Sequence, residues 1–86
     1  MKKIVFSDHA LMKVEILREH SVPVNRELVE TTVHNPEEVV QGYKGRLIAQ
    51  KRVDENHILR VVYEERADHI LVVTIYPGRR SRYEKD

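Results

Sequence analysis

Cysteine is absent from this sequence, which rules out disulfides and thiolate chemistry as sources of stability or catalysis. Long apolar runs are missing as well. The stretch Ile70 to Val73 is typical of the longest, and it is far too short to span a bilayer. Met1-Lys2-Lys3 is followed by only three apolar residues before Ser7 and Asp8, so no secretory signal is expected and the cytoplasm is the expected location. There is no glycine-rich phosphate loop, no nucleophile elbow and no paired-carboxylate constellation. The five histidines, His9, His20, His34, His57 and His69, form no i, i+4 pair and match no carboxylate pattern, so neither a metal nor any other cofactor is expected.

What is present is a soluble globular mixture, 41% hydrophobic and 34% charged, in 86 residues. A chain of this length is expected to bury its apolar side chains in one core, as a single domain over 1–86. The formal net charge of +1 is modest, but it is unevenly placed. Residues 1–45 carry six Lys or Arg against seven Asp or Glu, and residues 46–86 carry nine against seven. Arg79, Arg80 and Arg82 stand together without an acid among them, marking 78–86 as a basic C-terminal tail.

The hydrophobic period changes along the chain. Ile4-Val5-Phe6 predicts a brief strand, and Ser7 is suited to cap a helix over about 8–20 in which Ala10, Val14 and Leu17 recur at helical spacing. Ser21-Val22-Pro23 ends it. Asn25 can cap a second helix with Leu28, Val29 and Val33 as its buried stripe, stopped by Asn35-Pro36. Beyond this the period falls to two. Glu37–Gln41 predicts a short edge strand, followed by strands near Arg46–Val53, Ile58–Glu65 and His69–Pro77 joined by short polar turns.

The order β-α-α-β-β-β-β gives an α+β fold of two layers, a helix pair on an antiparallel sheet of three to four further strands. Strict alternation puts Leu59, Val61 and Tyr63, with Leu71, Val73 and Ile75, beneath the helices. The other face then carries Ile58, Arg60, Val62 and Glu64 beside Ile70, Val72, Thr74 and Tyr76. That mixture of arginine, threonine, tyrosine and aliphatics suits a binding surface better than a second core.

Leu59-Arg60-Val61-Val62-Tyr63-Glu64, then Ile70 to Ile75, then Gly78-Arg79-Arg80 with Tyr83 downstream, resemble the second half of the RelE superfamily. Phe6-Ser7-Asp8-His9-Ala10, Arg18-Glu19-His20-Ser21-Val22 and Asn35-Pro36 resemble an uncharacterised branch that opens with a His-Ala motif, and are similar to BrnT toxins. The resemblance implies a RelE-like domain, a toxin-type endoribonuclease acting on RNA, often on the ribosome, and a neutralising antitoxin. It matches Arg60 to the strand arginine that contacts the scissile phosphate, Arg80 (or Arg79 in a shifted register) to the arginine after the last strand, and Tyr83 to the terminal tyrosine.

Metal-independent RNA cleavage needs a base for the 2′-hydroxyl, cations for the phosphorane and an acid for the leaving oxygen. Arg60 and Arg80 suit the cationic task, because a guanidinium grips two phosphate oxygens and stays charged. Tyr76, the better placed of the two tyrosines, and Thr74 can orient phosphate, and Tyr76 can stack on a base. His9 opens a helix beside Asp8 and is the candidate base, with Lys51 as the alternative. Arg79, Arg82 and Tyr83 complete the expected RNA contacts. Two other readings remain open: a non-catalytic module binding protein or RNA through the same face, and a homodimer paired through the edge strand Glu37–Gln41.

Overall fold

Ser7 makes the first turn of the chain in the computed structural model, which describes residues 2–83. Strand β1, Lys3–Phe6, ends there, and the Ser7 hydroxyl accepts from the Ala10 N–H at 3.0 Å while donating to the Val73 carbonyl at 2.8 Å. One side chain thus caps helix α1, Asp8–Glu19, and ties its start to the sheet. The helix closes with Ser21 in the left-handed region, φ 63°, so that Val22 N–H reaches the Leu17 carbonyl at 2.9 Å and Ser21 N–H that of Arg18 at 3.1 Å. This is a Schellman closure made without glycine.

Helix α2, Arg26–His34, is capped by Asn25, whose side chain accepts from Leu28 N–H at 2.8 Å. Its buried stripe is Val29, Thr32 and Val33, with Leu28 only half-buried. Thr32 is tolerated inside because its hydroxyl donates to the Leu28 carbonyl at 2.8 Å, leaving no unmet polar group.

Strands β2 (Glu38–Gln41), β3 (Leu47–Arg52), β4 (His57–Glu65) and β5 (His69–Arg79) follow, with a 3₁₀ turn at Tyr43–Gly45 and a last helical turn α3, Arg80–Tyr83. The sheet order is β1-β5-β4-β3-β2, which leaves β2 at an edge. Strands β2 to β5 pair antiparallel, whereas β1 lies parallel to β5, so the five-stranded sheet is mixed. Basic residues 78–83 are structured as the end of β5 and α3; residues 84–86 of the expected tail lie outside the described residues.

Both helices cover one face. Ala10, Val14, Leu17, Val29 and Val33 pack there on Ala49, Leu59, Val61, Tyr63, Ile70, Val72 and Ile75. The expected set Leu71, Val73 and Ile75 is therefore corrected to Ile70, Val72 and Ile75. Val62 pairs with Thr74 but Tyr63 pairs with Val72, so Val73 is an extra residue at which the alternation of β5 reverses. The Val73 carbonyl at this bulge is the one that Ser7 satisfies. Among the described residues, no helix is long and apolar enough to cross a membrane.

Candidate functional site

Arg60 alternates with Leu59 and Val61 along β4 and so points out of the face opposite the helices. Its neighbours across the sheet are Gln50 on β3 and Tyr76 on β5. The guanidinium carbon lies 5.5 Å from the centroid of the Tyr76 ring and 4.2 Å from that of Tyr83. Tyr83 arrives because α3 folds the chain back over the end of β5. Gly78 gives it room, since a Cβ at that position would stand 2.7 Å from Tyr83 Cδ2 and 3.5 Å from Ile58 Cγ1. Ile58 is buried here, outside the helix-side core.

The setting of Arg60 is unusual for a charged group. Only 8% of the residue is exposed, its Nε has no hydrogen-bond partner, and among the described residues no carboxylate pairs with it. Glu64, four residues along the same strand, is engaged elsewhere, with Oε1 2.6 Å from Arg66 Nη2 and Oε2 2.9 Å from Arg46 Nε. Those bonds, from Arg66 first and then Arg46, hold the Glu64 carboxyl below its ordinary range. Gln50, buried beside Arg60, donates instead to Glu38 at 3.0 Å.

Leaving the Arg60 Nε buried without a hydrogen bond costs on the order of 1–3 kcal/mol, and cation–π contact with each ring returns roughly 0.5–2 kcal/mol. An anion seated at Arg60 would add a charge-assisted partner.

The structure gathers Arg60, Tyr76 and Tyr83, and sets Thr74 half-buried on the same face opposite Val62. Exposed Arg79 and Arg82 line a cleft of about 310 Å³ with Tyr83 and His57. Arg80 does not join Arg60: its N–H donates to the Asn56 carbonyl and its Nη1 to that of Glu55, each at 2.9 Å, fastening α3 to the β3–β4 turn. Lys51 points to the helical side, where its Nζ donates to the Asn35 carbonyl at 3.2 Å. His9 is exposed on the first turn of α1, in the helical layer, with Arg60 on the opposite face of the sheet.

His57, missed in the sequence, is the imidazole at the arginine-rich end. Its Nδ1 lies 3.0 Å from Asp54 Oδ1, and the Asp54 carboxyl is held low by the Asn56 backbone N–H and then by His57. Asp54 three residues before His57 in a polar turn was the available signal. Tyr43, 90% exposed, had no sequence signal beyond its flanking glycines. Among the described residues, no three of His, Asp and Glu gather into a metal-binding group.

Comparison with known protein families, curated proteins and solved structures returns no match.

Proposed function

We propose that this chain is a RelE-like, toxin-type protein that acts on RNA, holding a phosphodiester at Arg60. The reaction proposed is metal-independent strand cleavage by 2′-hydroxyl attack. The observation that carries the reading is the buried Arg60, its guanidinium carbon 5.5 Å and 4.2 Å from the Tyr76 and Tyr83 ring centroids, with no carboxylate pairing with it among the described residues. A bidentate guanidinium matches phosphate oxygens and the charge of a phosphorane. The hydroxyls of Tyr76 and Tyr83, whose rings lie beside Arg60, would orient the phosphate. An antitoxin covering this face, and a cytoplasmic location, belong to the same reading.

A second reading, a non-catalytic RNA-binding module, has its own support. The two side chains stacked on Arg60 are phenols, while His9 and Lys51 lie on the helical side and His57 sits at the end of the sheet.

The test measures binding and cleavage of single-stranded RNA, free and on ribosomes, for the wild type and for Arg60→Ala, Arg60→Lys, His57→Ala and His9→Ala. Arg60→Ala is expected to weaken binding at least tenfold, with Arg60→Lys recovering little of it. Intact RNA under all conditions, with Arg60-dependent binding, selects the binding module. RNA affinity indifferent to Arg60 rejects both readings.

A further inference from the structure

We propose that the groove next to Arg60, lined by Gln41, Tyr43, Arg46, Ile48, Val62 and Tyr76, is a nucleobase subsite. The inference rests on the phosphate reading of Arg60 and adds to it what the neighbouring nucleotide does. The groove encloses about 520 Å³ on the same outer face. Its floor is the cross-strand pair Ile48 and Val62, one row along the sheet from the Gln50–Arg60 pair. Two residues along a strand cover about 7 Å, so floor and guanidinium lie within reach of one nucleotide. Tyr76 joins them, lining the groove while its ring centroid stays 5.5 Å from the Arg60 guanidinium carbon.

Two observations select a flat occupant, beside an Arg46 whose Nε is held at 2.9 Å by the Glu64 carboxylate it shares with Arg66. The floor is aliphatic, which suits the face of an aromatic ring. Tyr43 is 90% exposed, a large aromatic left in water on a tight turn in which Lys44 and Gly45 take φ values of 58° and 75°. Burial of the fold gains nothing from it there. A base entering the groove would stack on it, with the Gln41 amide at the rim able both to donate and to accept towards a base edge.

The experiment compares short single-stranded RNA with a ribose–phosphate oligomer of the same length that carries no bases, on wild type, Tyr43→Ala, Tyr43→Phe and Arg60→Ala. Tyr43 is almost wholly exposed, so its replacement should leave the melting temperature unchanged. Tyr43→Ala is expected to weaken intact RNA by about fivefold to a hundredfold, the range for losing one stacked base. Tyr43→Phe should keep wild-type affinity, and the base-free oligomer should bind wild type and Tyr43→Ala alike. Equal binding of intact RNA by wild type and Tyr43→Ala, with loss in Arg60→Ala, overturns the subsite while leaving the phosphate reading in place. Unchanged binding in Arg60→Ala instead removes the reading on which the subsite rests. A groove that ignores RNA yet takes up an aromatic peptide also overturns it.

Discussion

At the scale of single residues, Arg60 sets stability against function. Replacing even a buried ion pair by apolar side chains of similar volume is often neutral or stabilising by about 1–4 kcal/mol, and a buried charge with no carboxylate partner has less attraction to lose. Arg60→Met should therefore raise the melting temperature, by about 4–8 °C for each kcal/mol gained in a domain of this size, while weakening RNA binding at least tenfold. Thermal unfolding followed by circular dichroism reads the first effect and RNA titration the second. A lower melting temperature would mean that stacking on Tyr76 and Tyr83 outweighs desolvation, and that Arg60 needs no anion to balance it. The arginine was legible in the sequence because alternation put it on the mixed face, and Tyr76 was placed there with it, although its position directly opposite Arg60 depends on the bulge at Val73. The approach of Tyr83 was not, because it depends on α3 reversing the chain over Gly78.

At the scale of elements, helices α1 and α2 and the four antiparallel strands were legible because each is written locally: Ser7 and Asn25 as caps, an apolar period near three and a half, then a period of two. What escaped depends on pairing between distant segments. The bulge at Val73 reverses one strand's faces only relative to β4, and the parallel docking of β1 on β5 joins opposite ends of the chain. Thr32 escaped for a different reason, since its polarity hides a side chain that satisfies itself within α2.

One inter-element link is titratable. Glu64 on β4 holds Arg46 before β3 and Arg66 in the β4–β5 turn, and its carboxyl lies below the ordinary 4.5. A carboxyl lowered by folding contributes stability that is present above its unfolded value and is lost as pH falls through the folded one. Glu64→Gln should therefore melt below the wild type at neutral pH, and the two melting curves should converge as the pH drops below about 4.5. Melting temperatures recorded across that range check it, and a constant gap would assign the loss to packing instead.

At the scale of the whole molecule, the two faces of the sheet divide the work. The helical face is closed by a continuous apolar core, with Lys51 spent on fastening α2 to the sheet. The outer face keeps its polar and aromatic side chains, and the cations gathered near the site are few: Arg60, Arg46 sharing Glu64 with Arg66, and Arg79 and Arg82 in the adjoining cleft. A net charge of +1 adds little long-range attraction to them. Binding of single-stranded RNA should then depend only moderately on salt. Each phosphate neutralised contributes a slope of about −0.7 to the logarithm of affinity against that of salt concentration, so three contacts give about −2. Most of the remaining affinity would come from bases stacked on tyrosines, which salt scarcely alters. Titrations at several salt concentrations measure the slope directly. A value near −2 that becomes about −1.4 in Arg60→Ala would locate one of the three phosphates at the buried guanidinium. A much steeper slope would instead carry the RNA path beyond this face, towards Lys2, Lys3 and Lys13, and would deny the outer face its place as the whole of the binding surface.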